Sequence, residues 1–176
     1  MKIAIIVEYI VNLVLLLFFY IHMFQLNSYF FKKYLHWMNT NKKKMIIQIS
    51  LVAVPSILLI INNTIANIVS IIFLAISIIY NSPKGRAKIP LNITSRVKRM
   101  IVTEFLLIVL TLMISGIENY IYTKLAILNI IASIICIIAN IINLPIEKNI
   151  QKKYINEAKK ILKSMPNLIV IGVTGS

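Results

Sequence analysis

Ile3-Ala4-Ile5-Ile6-Val7-Glu8-Tyr9-Ile10-Val11-Asn12-Leu13-Val14-Leu15-Leu16-Leu17-Phe18-Phe19-Tyr20-Ile21-His22-Met23-Phe24-Gln25-Leu26 is the stretch that decides the fold. Glu8 is its only formally charged residue. About 20 predominantly apolar residues suffice for a helix to cross a bilayer, so this segment is long enough to span. A cleavable signal peptide would need a basic start, a shorter apolar core and a small-residue cleavage site. Here Lys2 is the one basic residue before the core, and His22-Met23-Phe24-Gln25 has no small residues for cleavage. The segment reads as a retained membrane helix.

The remainder of the chain has the same character. Of 176 residues 59% are hydrophobic, and the mean hydropathy is +0.87. A soluble domain is closer to half apolar. Nineteen Lys and Arg against five Asp and Glu give a net charge of +14. Such a balance suits either nucleic acid or anionic lipid, and the apolar spans favour lipid. The single cysteine, Cys136, lies in an apolar run. It forms no disulfide within the chain and reads as a small buried hydrophobe.

Four further spans follow. Residues 27–44 are polar and basic, with Tyr29, Phe30, Phe31, Tyr34 and Trp37 interleaved. Amphipathic rings and long amines both suit the headgroup layer, so this segment reads as interfacial, with no nucleic-acid partner. Residues 45–61 form a second span containing Pro55, and residues 64–80 a third, joined by Asn62-Asn63. Together they read as a helical hairpin, or alternatively as re-entrant segments or one kinked buried helix. A loop at 81–99 precedes a fourth span at 100–116, which contains Glu104. The fifth span, 124–144, is closed by Pro145, a residue suited to the first turn of a following helix. The expected fold is an all-α membrane bundle of about five transmembrane helices over residues 1–144. A cytoplasmic amphipathic helix at 145–165 and a short β-strand with the start of a loop at 166–176 complete it.

Charge sets the expected orientation. The segments 27–44, 81–99 and 145–176 hold seventeen of the nineteen basic residues, leaving Lys2 and Lys124 for the other side. Basic loops stay cytoplasmic. The expected topology is multi-pass in the cell membrane, with the N-terminus outside and the C-terminus in the cytoplasm. In the tail, Ile146, Ile150, Tyr154, Ala158, Ile161 and Met165 recur at helical spacing, and Lys148, Lys152, Lys159 and Lys163 take other faces. This helix can lie on the membrane or pack on a further domain.

The last residues carry a different signal. Leu168-Ile169-Val170-Ile171-Gly172-Val173 is short, apolar and β-branched, like a buried parallel strand. Gly172, Thr174, Gly175 and Ser176 then resemble the opening of a phosphate loop, where glycines let backbone N–H groups approach a phosphate. Glu147-Lys148, Tyr154 to Lys159, Ile161 to Leu168 and Val170 to Ser176 together resemble the Mur ligase family, in particular its membrane-anchored members. His22 to Tyr29, Arg96 to Arg99 and Asn140 to Lys148 carry the same resemblance. It implies an ATP- and magnesium-dependent amide ligase of peptidoglycan synthesis, acting on a peptidoglycan precursor. In that family the carboxylate is made into an acyl phosphate, which an incoming amine displaces. Gly172, Thr174, Gly175 and Ser176 would be the nucleotide-binding positions. The lysine and magnesium-binding hydroxyl of the family's loop would come after Ser176, so this chain alone is expected to bind no ATP and to hold no catalytic residue.

Other candidate chemistry is weaker. Glu8, Glu104, His22 and the asparagines at 12, 67, 129 and 140 lie in or beside spans. Ionisable groups there often mark ion or proton paths. Without a carboxylate pair or repeat, the two glutamates read as reaching headgroups and the asparagines as bonding between helices. His22 and His36 have no partners at metal-ligand spacing, so no metal site is expected. The competing function is a standalone small membrane protein, a transport or assembly component without enzymatic activity.

Overall fold

A computed structural model of the chain describes residues 2–61, 63–82, 89–114 and 121–165. Among the described residues the structure is all-helical: α1 (Lys2–Leu26), α2 (Phe31–Thr40), α3 (Lys42–Ile61), α4 (Thr64–Asn81), α5 (Ser95–Ile114), α6 (Ile121–Ile130) and α7 (Ala132–Lys163). The chain forms two units, Met1–Ile142 and Asn143–Ser176. The expected strand at 168–173 and its loop lie outside the described residues.

In the first unit α1 is the central element, packed on α4 and α6, while α3 packs on α4, α6 and α2. Its buried positions, Ile5, Tyr9, Asn12, Leu13, Leu16, Leu17, Tyr20, Ile21 and Phe24, recur at three- and four-residue steps. The other side of the helix is also apolar, with Ile3, Val7, Ile10, Val11, Val14 and Phe18 exposed. A helix apolar all round is a core or membrane helix. Four helices, α1, α3, α4 and α7, are long and apolar enough to cross a membrane.

Asn63 caps α4, its side-chain oxygen accepting from the Ile65 N–H at 3.2 Å. α3 continues through Pro55. Small residues at Ala66, Ser70 and Ser77 form the buried side of α4 and let neighbouring backbones approach. The Ser70 hydroxyl is within bonding distance of the Pro55 carbonyl at 3.2 Å and of its own Ala66 carbonyl at 2.8 Å.

Four details differ from the sequence reading. Part of the interfacial segment 27–44 is helical, as α2, because Tyr34 buries its ring between Phe24, with centroids 4.2 Å apart, and Trp37, at 5.7 Å. The turn before α2 places Ser28 (φ 55) and Tyr29 (φ 58) in the left-handed region. Hydrogen bonds from Ser28 N–H to Gln25 O and from Tyr29 N–H to Phe24 O, both 2.9 Å, hold it. The fifth apolar segment is interrupted at Ile131, which separates α6 from α7. Helical bonding still bridges the interruption, from Ile131 N–H to Ile127 O at 2.9 Å and from Ile135 N–H to Ile131 O at 3.0 Å. Pro145 lies inside α7 and does not open a new helix. Its fixed φ is already helical, so the cost is the missing N–H and local crowding. α5 begins at Ser95, so Arg96, Lys98 and Arg99 are helical residues, and this charge keeps α5 off the count of long apolar helices.

Tyr34 gives a direct test of this packing. Its hydroxyl is buried and has no hydrogen-bond partner among the described residues. Burial, followed by the nearby Cys136, Tyr20 and Glu104, pushes the phenol well above its ordinary value. A phenol raised on folding leaves stability unchanged below its unfolded value, about pH 10, and costs stability above it. Tyr34→Ala is expected to destabilise by about 3–5 kcal/mol. Tyr34→Phe is expected to be neutral or stabilising and to reduce the alkaline loss. Unfolding in detergent micelles against pH measures both.

Candidate functional site

Several buried polar groups of the first unit form one connected ladder. It starts at Asn129 on α6, whose Nδ2 donates to the Leu125 carbonyl at 2.8 Å and to the Tyr9 carbonyl at 3.1 Å. Its Oδ1 accepts from Asn12 Nδ2 on α1 at 2.9 Å. Asn12 Oδ1 in turn accepts from two α4 groups, Ser77 Oγ at 3.0 Å and Asn81 Nδ2 at 2.9 Å. Asn81 Oδ1 accepts from Gln48 Nε2 on α3 at 2.8 Å, and Gln48 Oε1 accepts from the Tyr20 hydroxyl back on α1 at 3.2 Å. Asn12 is completely buried, and Gln48, Asn81 and Asn129 are buried as well. In a membrane interior apolar burial gives no net drive between helices, so such bonds and close packing supply the specificity.

A second buried group lies at Glu104 on α5. The residue is 2% exposed, so it does not reach the headgroups as the sequence suggested. Its carboxyl group hydrogen-bonds the Cys136 thiol on α7, and its Oε1 has no partner among the described residues. Starting α5 at Ser95 places Glu104 nearly three turns into the helix, beyond the reach of its side chain to the end. Cys136 is buried in the apolar core, as expected. Glu8 is half-buried, and its Oε2 also has no partner among the described residues.

The basic residues gather by a third set of contacts. His22 Nε2–H donates to the Ile89 carbonyl at 2.9 Å. Gln25 Nε2 donates to the Asn92 carbonyl at 2.8 Å, and its Oε1 accepts from the Asn92 N–H at 3.0 Å. These bonds tie the C-terminal end of α1 to the segment leading into α5. Arg96, near the start of α5, donates to Asn140 Oδ1 at 3.1 Å and stacks over the Tyr29 ring at 4.0 Å. Lys32, Lys33, Lys42, Lys43 and Lys44 flank or belong to α2 and the first turn of α3. The structure thus brings the basic residues of 27–44 and those of 89–99 to one end of the first unit. An open groove of about 500 Å³ runs along α2 at this end.

The sequence-based nucleotide positions Gly172, Thr174, Gly175 and Ser176 lie outside the described residues. Asn12, Asn129 and Asn140 do bond between helices, as their chemistry suggested. Ser77, Asn81, Gln48 and Tyr20 escaped notice, because single polar residues in apolar runs do not reveal which of them share a level of the bundle. Among the described residues no group of three or more His, Cys, Asp or Glu is placed to hold a metal ion. Comparison with protein-family models, curated proteins and solved structures gives no match.

Asn12 joins three helices, so Asn12→Ala leaves Asn129, Ser77 and Asn81 each short of a partner. The expected loss is roughly 1–3 kcal/mol, measured by SDS-induced unfolding with helicity as the signal. Cys136 gives a second check: in the folded chain it is expected to resist maleimide alkylation and to react only on unfolding.

Proposed function

We propose that this chain is the membrane-anchoring part of a Mur-ligase-like, ATP- and magnesium-dependent amide ligase of peptidoglycan synthesis. Its helical bundle holds the catalytic domain against the cytoplasmic face, where a lipid-linked peptidoglycan precursor is handled. The observation that carries this reading is the sequence from Glu147 to Ser176, which resembles that family's approach to its phosphate loop. Four long apolar helices support the anchoring role. The charge split supports five crossings with the N-terminus outside. The bonds from α1 to residues 89 and 92 support it further, since they put the 27–44 and 89–99 basic segments at one end. Gly172, Thr174, Gly175 and Ser176 are the proposed first contacts to the nucleotide phosphates.

Single-cysteine variants in a Cys136→Ala background test the orientation. Asn63→Cys is expected to react with a membrane-impermeant maleimide on intact cells, and Asn41→Cys only after permeabilisation. Labelling of Asn41→Cys alone on intact cells would reverse the topology and remove the cytoplasmic reading. The ligase reading is tested on the coding frame downstream of Ser176: Gly-Lys followed by Thr or Ser supports it, and an immediate stop removes it.

A further inference from the structure

The groove beside α2 combines features that the anchoring role does not use. Lys32, Lys33, His36 and Trp37 line it, with Asn27 and Asn41 at its margins. One side of α2 is fixed by Tyr34, which is fully buried and stacks on Trp37 at 5.7 Å. Phe19 of α1 lies 5.9 Å from the same indole. Asn41 Nδ2 donates to the Trp37 carbonyl at 2.9 Å, and Asn27 Nδ2 to the Met23 carbonyl at 2.7 Å. The indole that lines the groove is therefore held by two neighbouring rings. The two lysines on the helix are exposed, with Lys33 Nζ 5.2 Å from the Phe30 ring. No acidic residue lines the groove.

We propose that this groove is a binding site for the phosphate headgroup of an anionic membrane lipid, with Lys32 and Lys33 as the phosphate contacts and Trp37 set at the level of the glycerol backbone. The proposal rests on the membrane placement of α1 and α3 given above. The groove sits where the C-terminal end of α1 and the start of α3 meet, so the phosphate in greatest supply beside it belongs to lipid. A lysine near an anionic surface is worth about 1 kcal/mol, roughly five-fold in affinity. Trp and Lys together suit the headgroup layer, where the ring lies between apolar and wet surroundings. A merely solvated charged surface would not need an indole packed on two neighbouring rings.

Trp37 is the single tryptophan of the chain, so its fluorescence reports the groove directly. The full chain is reconstituted in vesicles of phosphatidylcholine mixed with phosphatidylglycerol, with one or the other lipid brominated. Quenching of Trp37 is expected to show a several-fold preference for phosphatidylglycerol. Lys32→Gln and Lys33→Gln are each expected to lower that preference by roughly five-fold at most, with emission in pure phosphatidylcholine unchanged. Lys43→Gln, an exposed neighbour outside the groove, is expected to lower it distinctly less than either groove lysine, through diffuse attraction alone. Equal quenching by both lipids, or an equal loss in Lys43→Gln, would overturn the site and leave only diffuse attraction. A response to soluble glycerol phosphate that abolishes the lipid preference would reassign the groove to a free phosphate ligand and also overturn the proposal. Absence of quenching by either lipid is a separate outcome, which contradicts the membrane placement itself and the site with it.

Discussion

The hydrogen bonds at Asn12 are the interaction on which the rest of the first unit depends. Nearly everything else on α1 is apolar and would pack as well against lipid tails as against a neighbouring helix. Only a polar group with directional partners distinguishes one rotation of the helix from another. Asn12 uses its donor on α6 and its acceptor twice on α4, and the path through Asn81 to Gln48 fixes α3 in the same arrangement. The ladder returns to α1 at Tyr20, two turns further on. Two points on α1 are thereby held, which sets both its rotation and its height.

That arrangement places the rest. With α1 fixed against α3 and α4, its C-terminal end carries the left-handed turn at Ser28 and Tyr29, and Tyr29 offers its ring to Arg96. Asn140 supplies the hydrogen bond on the other side of the same guanidinium. An arginine held by a ring and an amide joins the turn after α1 to α5 and α7 at the basic end. Glu104, by contrast, contributes an oxygen without a partner among the described residues. A buried group of that kind costs stability where it stands.

Much of this was legible in the sequence, because hydropathy and length decide which segments cross a bilayer. The α1, α3 and α4 segments fall within a few residues of where the apolar runs placed them. The ligase reading rests on the sequence alone, and the residues that would carry its chemistry lie outside those the structure describes. What the sequence hid depends on three-dimensional level. Nothing local marks Ser77, Asn81 and Gln48 as partners of Asn12. Glu104 looked close to a span end because α5 was read as starting at residue 100; beginning it at Ser95 buries that carboxyl group. Pro145 looked like a boundary because proline breaks helical bonding, yet its backbone angle is helical and α7 runs through it. The aromatic spacing around Tyr34 was read as a headgroup layer, and its second use as the buried side of α2 emerges only once Phe24 is placed against it.

The central claim is that Asn12 couples α1 to α6 and α4 within one bundle. A double-mutant cycle on Asn12→Ala and Asn129→Ala, followed by unfolding in lipid–detergent bicelles, tests it most directly. The account predicts a coupling free energy of about 0.6 kcal/mol and at most about 1.7 kcal/mol, the range for hydrogen bonds between membrane helices. Costs that simply add, to within about 0.3 kcal/mol, would contradict it by showing that the two asparagines do not meet.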